Sequence, residues 1–316
     1  MTYLPSVGLS QLKYSLPARR TSVRELAVAG QLHSRPETLT AFGFESAYIA
    51  QDDELNPALA KSVHDLLASA QLSPSEIPLL IVATGSPAPS PAQDTPEALE
   101  QFHFRSARLQ HEIGAHEARA LELVGQGCGT FVSALDLAAR YLTTSDYSHA
   151  LVVAADARPP GASRDVIHNL MSDAAAAVLV SRRSPMLRIR GFYQQSQPYY
   201  WETATKREEV LASYFPMTVR VITQALTAFN VPAEALRWIV PHNVGVRSWE
   251  LVCRALKFPL DRVWLENVAR VGHTVSCDHV INLVDMRSRG AIAAGDLLLL
   301  FTFGFGASWT AMLVEA

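Results

Sequence analysis

The sequence predicts an α/β fold, with helices layered on a mainly parallel sheet that is covered on both faces. Three observations lead there. Apolar runs of strand length recur along the chain. They are continuous rather than alternating, as in strands buried on both faces. Segments with helical spacing lie between them.

Taken in order, residues 57–70 ("PALAKSVHDLLASA") have helical spacing and precede a strand at 78–84 ("PLLIVAT"). Proline recurs in 86–97 ("SPAPSPAQDTPE"), which no central strand tolerates, so this is a surface loop. Residues 128–142 predict a helix with Phe131, Leu135, Ala138 and Leu142 on one face. Strands follow at 150–155 and 174–180, helices at 216–230 and 246–256. Further strands are expected around 238–240, at 296–303 and at 309–314. Residues 86–115 and 190–212 are expected to be loops that shape a pocket. "SRRSP" at 181–185 divides the chain, and each side carries its own strands and helices. This suggests two halves, 1–182 and 183–316. No short repeat indicates a solenoid.

Composition narrows the function. With 316 residues, 49% of them hydrophobic, the chain can bury a large core. A net charge of −3 and the lack of long basic runs argue against a nucleic-acid partner. The apolar runs are too short to span a bilayer, and the first twenty residues hold no signal-peptide apolar region. The three cysteines, Cys128, Cys253 and Cys277, are too few and too far apart for a disulfide framework. They have no metal-ligand spacing either, and the histidines are scattered, so no metal is expected. A reduced, cytoplasmic protein follows as the expectation.

Cys128 lies in "ELVGQGCGTFVSALDL", between Gly127 and Gly129 and ahead of the predicted helix. Free cysteine is usually packing material. At a helix N-terminus, however, unpaired N–H groups favour a thiolate and can hold an oxyanion. Cys253 sits within a helical pattern and reads as core. Two histidines share the junction setting. His242 ends the run "WIVPH", at the strand end where open α/β sheets place their sites. His273 follows Gly272 before another helix. Gly304-Phe305-Gly306 joins two apolar runs as a hairpin turn that can also aim an N–H at a carbonyl oxygen.

The order and spacing of "IVATGS" (81–86), "GQGCGTFVSALDLAARYL", "HALVVAADA" (149–157), "SDAAAAVLV" (172–180), "WIVPHNVGVR" (238–247), "ENVARVGHTVSCDHVINLVDM" (266–286) and "GAIAAGDLLLLFTFGFGASWTAML" (290–313) resemble the β-ketoacyl synthase III-like members of the thiolase superfamily. The resemblance covers most of the chain. It implies a thiolase-like fold of duplicated βαβαβ halves in five αβαβα layers, in a dimer, with a heterodimer as an alternative. It makes Cys128 the acyl-accepting nucleophile and His242 the first catalytic histidine. His273 stands where the family usually has asparagine. Cys128, Phe305 and Gly306 would supply the oxyanion hole, and Asn243 and Gly304 would border the substrate.

The implied reaction loads an acyl group on Cys128 and condenses it with a malonyl-type thioester after decarboxylation, in specialised fatty acid or polyketide assembly. Acyl transfer to a hydroxyl or amine is the alternative, and a structural subunit of a heteromeric synthase the third. No cofactor is implied beyond thioesters on coenzyme A or on the phosphopantetheine of an acyl carrier protein. Residues 34–51 lack the family's tryptophan and arginine set for coenzyme A, which points to the carrier protein. Arg105, Arg108, Arg247 and Arg270 are candidates for that contact, set against ordinary solvated charge. Ser172-Asp173 replaces a family glycine–aspartate pair.

Overall fold

The computed structural model describes residues 7–51, 53–86, 103–159 and 161–316. Most of the proline-rich segment 86–97 lies outside these. The strands are β1 (Gly8–Ser15), β2 (Arg19–Ser22), β3 (Ser46–Ile49), β4 (Leu79–Ala83), β5 (Arg119–Leu123), β6 (His149–Asp156), β7 (Asp165–Val166), β8 (Asn169–Leu170), β9 (Ala174–Ser181), β10 (Leu187–Ser196), β11 (Leu236–Pro241), β12 (Leu297–Gly304) and β13 (Ser308–Glu315). The α-helices are α1 (Val23–Val28), α2 (Pro36–Ala41), α3 (Leu55–Ala70), α4 (Arg105–Ile113), α5 (Thr130–Thr144), α6 (Arg207–Phe229), α7 (Val246–Leu256), α8 (Glu266–Arg270) and α9 (Asp278–Ser288).

Nine strands form one sheet in the order β11-β12-β13-β10-β1-β9-β6-β4-β5. Five precede residue 182 and four follow it. The halves join where β1 meets β10, at Gly8↔Arg188 and Leu9↔Leu187.

Side-chain alternation builds the layers. On β9, Ala174, Ala176, Val178 and Val180 face a core shared with α5 and α9, while Ala175, Ala177 and Leu179 face α3 and α4. On β12, Leu298 and Leu300 face the α5–α9 core, and Leu299, Phe301 and Phe303 face α6 and α7. The central core takes side chains from both halves of the sheet, so α5 and α9 lie between them. The result is the expected αβαβα sandwich. Strands buried on both faces explain the unbroken apolar runs.

Three expectations need correction. The sheet is mixed: β4 pairs in parallel with β5 and β6, and β11 with β12, but β1, β9, β10 and β13 pair antiparallel. Continuous hydrophobicity reports burial on two faces and does not report strand direction. Residues 190–212 are a loop only over 197–206, because β10 runs to Ser196 and α6 begins at Arg207. The polar residues of β10 hid its period, and Pro216 hid the first turns of α6. That proline is exposed inside the helix, where its missing N–H and ring are tolerated at the cost of one backbone bond. Residues 105–113, expected in a loop, form α4.

Candidate active site

Cys128 sits in a 3-10 turn, Gly127–Gly129, that runs directly into α5. Gly127 has φ +52°, and a Cβ there would lie 2.9 Å from the Phe305 nitrogen. A Cβ on Gly304 would lie 1.8 Å from the Gln126 carbonyl oxygen and 3.1 Å from the Cys128 nitrogen. Two backbones therefore meet without side chains between them, which brings the Phe305 amide to the turn that carries Cys128. Cys128 is 9% exposed and packs against Met171 and Val275. Gly306 completes the hairpin turn, and Phe305 is 37% exposed.

The other cysteines differ. Burial raises the Cys253 thiol to about 11. Cys277 is fully buried, and burial followed by the charges of Asp156 and Asp278 pushes it well up. Both are core thiols.

His273 lies between α8 and α9. Its N–H donates to the Leu170 carbonyl at 2.8 Å, and its carbonyl accepts from the Ser172 N–H at 2.8 Å. Ser172 further receives the Tyr48 N–H at 2.9 Å and donates its hydroxyl to the Val271 carbonyl. Ser172 thus anchors the histidine loop. Asp173 forms a buried ion pair with Arg164 at 2.7 Å.

The His273 ring joins two functional groups. Its Nε2 is 3.1 Å from the Cys128 Sγ, and its Nδ1 is 2.5 Å from Asp278 Oδ2. Asp278 is the first residue of α9, where the helix dipole favours a carboxylate. It also accepts from the Thr274 N–H at 2.7 Å, the Thr274 hydroxyl at 2.6 Å and the Asn243 N–H at 2.7 Å. Burial opposes charge on both partners, but each outweighs that penalty for the other. His273 is held well above the ordinary histidine range by Asp278 and Cys128. Asp278 is held below the carboxylate range by His273 and the Thr274 hydrogen bonds.

His242, 1% exposed, follows β11, and its ring lies 5.4 Å from that of His273. Burial, then the neighbouring His273 charge, lowers its pKa to about 3, so the ring is neutral. Its Nδ1 is buried without a hydrogen-bond partner among the described residues.

The structure brings Cys128, His242, His273, Gly304, Phe305 and Gly306 to one place. Asn243 lies beside His242 and is bonded within the protein. It is fully buried, donates its amide to the Gly272 carbonyl at 3.1 Å, and accepts from Asn282 at 3.0 Å. It positions the two histidine loops. Asp278 was not legible in advance. Its one signal is an acidic residue opening a helix five residues after Gly272-His273.

The arginine candidates are engaged elsewhere: Arg108 pairs with Asp53 and Glu112, Arg270 pairs with Asp285, and Arg105 reaches the Ala155 carbonyl at 3.3 Å. Arg247 is exposed at the start of α7. Among the described residues no His, Cys, Asp and Glu group could hold a metal ion, and no helix is long and apolar enough to cross a membrane.

The thiolase-type sandwich, with a cysteine at a helix start in contact with a histidine, is that of an acyltransferase of the ketosynthase type. Comparisons with known proteins narrow the class. Residues 16–186 match the family model for FAE1/type III polyketide synthase-like proteins, and residues 226–316 match that for the C-terminal part of 3-oxoacyl-[acyl-carrier-protein] synthase III. The chain belongs to the β-ketoacyl synthase III-like family of the thiolase superfamily.

Among relatives, β-ketoacyl-[acyl-carrier-protein] synthase III of Yersinia pseudotuberculosis is 28% identical over 318 residues, covering 94% of this chain and 89% of the relative. The solved structure of 3-oxoacyl-[acyl-carrier-protein] synthase III from Aquifex aeolicus superposes with TM-score 0.82 at 21% identity, covering 98% of this chain and all of that one. ChlB3, an acyltransferase, superposes with TM-score 0.85 at 20% identity, covering 99% and 98%. At these identities the structural likeness concerns the fold.

Proposed function

We propose that this enzyme loads an acyl group from a carrier-bound thioester onto Cys128 and transfers it to a hydroxyl or amine acceptor. The observation that carries this reading is the chain Cys128 Sγ–His273–Asp278. A nucleophile, a base in contact with it, and a buried carboxylate orienting the base form the arrangement used for acyl transfer.

In the loading step the Cys128 thiolate attacks the donor thioester carbon. The oxyanion rests on the N–H groups of Cys128 and Phe305, with Gly306 shaping the turn. Collapse expels the donor thiolate, which takes the proton held by His273. The neutral His273 then removes the proton from the acceptor, whose oxygen or nitrogen attacks the acyl-cysteine. The Cys128 thiolate leaves, and the thiolate–imidazolium pair is restored. Neutral His242 donates one hydrogen bond in the site, and Asn243 holds its loop against Gly272.

Decarboxylative condensation with a malonyl-type thioester is the second reading. The pair of imidazoles favours it, since two N–H donors can stabilise an enolate. So does the activity named for the curated relatives. We place the enzyme in the cytoplasm as a homodimer served by an acyl carrier protein, with the two halves dividing at residues 182 and 183.

Intact-protein mass after mixing with acyl-carrier and acyl-coenzyme A thioesters tests the loading. An acyl adduct is expected on the native chain and not on Cys128→Ala. No adduct with any donor defeats both readings. Carbon dioxide released from a malonyl donor, with a β-ketoacyl product, decides for condensation over transfer.

A further inference from the structure

Asp156 closes β6 and is buried, 1% exposed. Its carboxylate joins two segments that are far apart in the chain. Oδ1 accepts the Ser86 N–H at 2.9 Å. Oδ2 accepts the Gly85 N–H at 3.4 Å and the Ser276 N–H at 3.2 Å. Gly85 and Ser86 follow β4, the parallel neighbour of β6. Ser276 belongs to the other half, in the loop between His273 and α9. Among the described residues the carboxylate is held by these backbone N–H groups, and no cation pairs with it. A buried carboxylate is costly unless such donors surround it.

The same contacts reach Cys128. A Cβ on Gly85 would lie 2.5 Å from Val275 Cγ1, 2.6 Å from Ser276 Oγ and 2.8 Å from the Gly127 carbonyl oxygen. Gly85 is thus wedged between the bend at Val275–Ser276 and the turn that carries Cys128. Val275 packs on Cys128, and at φ +58° it makes the bend that returns Asp278 to His273. The Ser276 hydroxyl is buried without a partner among the described residues, so Ser276 is tied to the N-terminal half through its N–H.

We propose that Asp156 is a positioning residue for the loading of Cys128. Through Ser276 it holds the Val275 bend, and with it the line Cys128–His273–Asp278. This rests on the loading step that both readings above share. A carboxylate presents two acceptor oxygens and no donor, whereas an amide in its place keeps one acceptor and turns its NH2 against a backbone N–H. Either orientation of the amide releases the Ser276 bond or the Ser86 bond, and the Gly85 wedge loosens. Displacing reacting groups by about 1 Å costs on the order of 10²-fold in rate.

Rapid-quench mass spectrometry of acylation, by acetyl-coenzyme A and by an acetyl-carrier-protein thioester, tests this. It gives the fraction of chains that load and the rate constant with which they do so. Asp156→Asn is expected to load to the native extent, with the rate constant at saturating donor lowered about tenfold or more. The donor concentration for half-maximal rate is expected to stay within about twofold of the native value. A purely structural role lowers the fraction that loads and leaves the rate constant of the loading chains alone. Gly85→Ala keeps the carboxylate and pushes the same bend from its other side. It is expected to show the same split, and it carries the test where Asp156→Asn does not fold. The proposal is overturned by a native rate constant in a folded variant, or by a loss confined to the extent of loading or to the half-maximal donor concentration. It also falls if neither variant folds, since Asp156 would then support the fold alone. A native chain that forms no adduct is a separate result and removes the loading step itself.

Discussion

His273 touches Cys128 with one ring nitrogen and Asp278 with the other, at 3.1 and 2.5 Å. The carboxylate therefore orients the ring and strengthens its hold on a proton on the side facing Cys128. Asp278→Asn leaves the shape and removes the charge. Loading of Cys128 is expected to fall by about 10²–10⁴-fold. Because Asp278 is buried with four donors around it, stability is expected to drop too, by about 3–5 kcal/mol if the charged partner is left alone. Stopped-flow acylation and denaturant unfolding of the same variant measure the two effects. A variant that loads at the native rate would contradict the triad.

The histidines make opposite contributions to the pH dependence of stability. His242 and His279 have lowered pKa values because burial penalises their charged forms, His242 reaching about 3. Their stabilisation is fully present above the unfolded value near 6.5 and is lost as pH falls toward the folded value. Asp278, also lowered, loses its contribution in acid. His273 is raised, so its contribution is fully present below about 6.5 and disappears only as pH rises through its higher folded value. Tm is expected to fall on the acid side of pH 6.5, and His242→Gln is expected to flatten that limb. Thermal scans from pH 4 to 8 check this, and an acid limb identical in the variant would contradict it.

His242 has its pKa lowered to about 3, so in the proposed mechanism it serves as a neutral hydrogen-bond donor. His242→Ala is expected to lower turnover by about 10²–10³-fold, the scale of one lost oxyanion-type donor. The pH–rate profile between 5 and 8 is expected to keep its shape, since the group removed does not titrate there. A profile that loses a limb would assign His242 an acid–base role.

Gly304→Ala places a methyl group 1.8 Å from the Gln126 carbonyl oxygen, a backbone atom that cannot swing aside. The Cys128 turn and the end of β12 must separate. Stability is expected to fall by about 2–4 kcal/mol, with loading reduced more than the unfolded fraction explains. Denaturant midpoints and acylation rates, taken together, separate the two effects. Gly306→Ala supplies the contrast, because no atom lies within 4 Å of its added Cβ. The cost there is confined to φ +122°.

Local chemistry determined much of this in the sequence alone. Two-sided burial writes strands as unbroken apolar runs, so β4, β6, β9, β12 and β13 were legible. Cys128 stood out because a glycine turn feeding a helix can be read within ten residues. The order of the motifs carried the five-layer fold. What the sequence could not determine depends on partners distant along the chain or on a turn with no code of its own. Strand direction follows from which strands become neighbours. The role of Asn243 depends on Gly272 and Asn282, on other elements. Asp278 reaches His273 because the backbone between them folds back at Val275, where φ is +58°. A β-branched residue gives no hint of that conformation. The tertiary structure therefore decided how each histidine holds a proton, since burial lowers the pKa of one while a carboxylate raises that of the other 5.4 Å away.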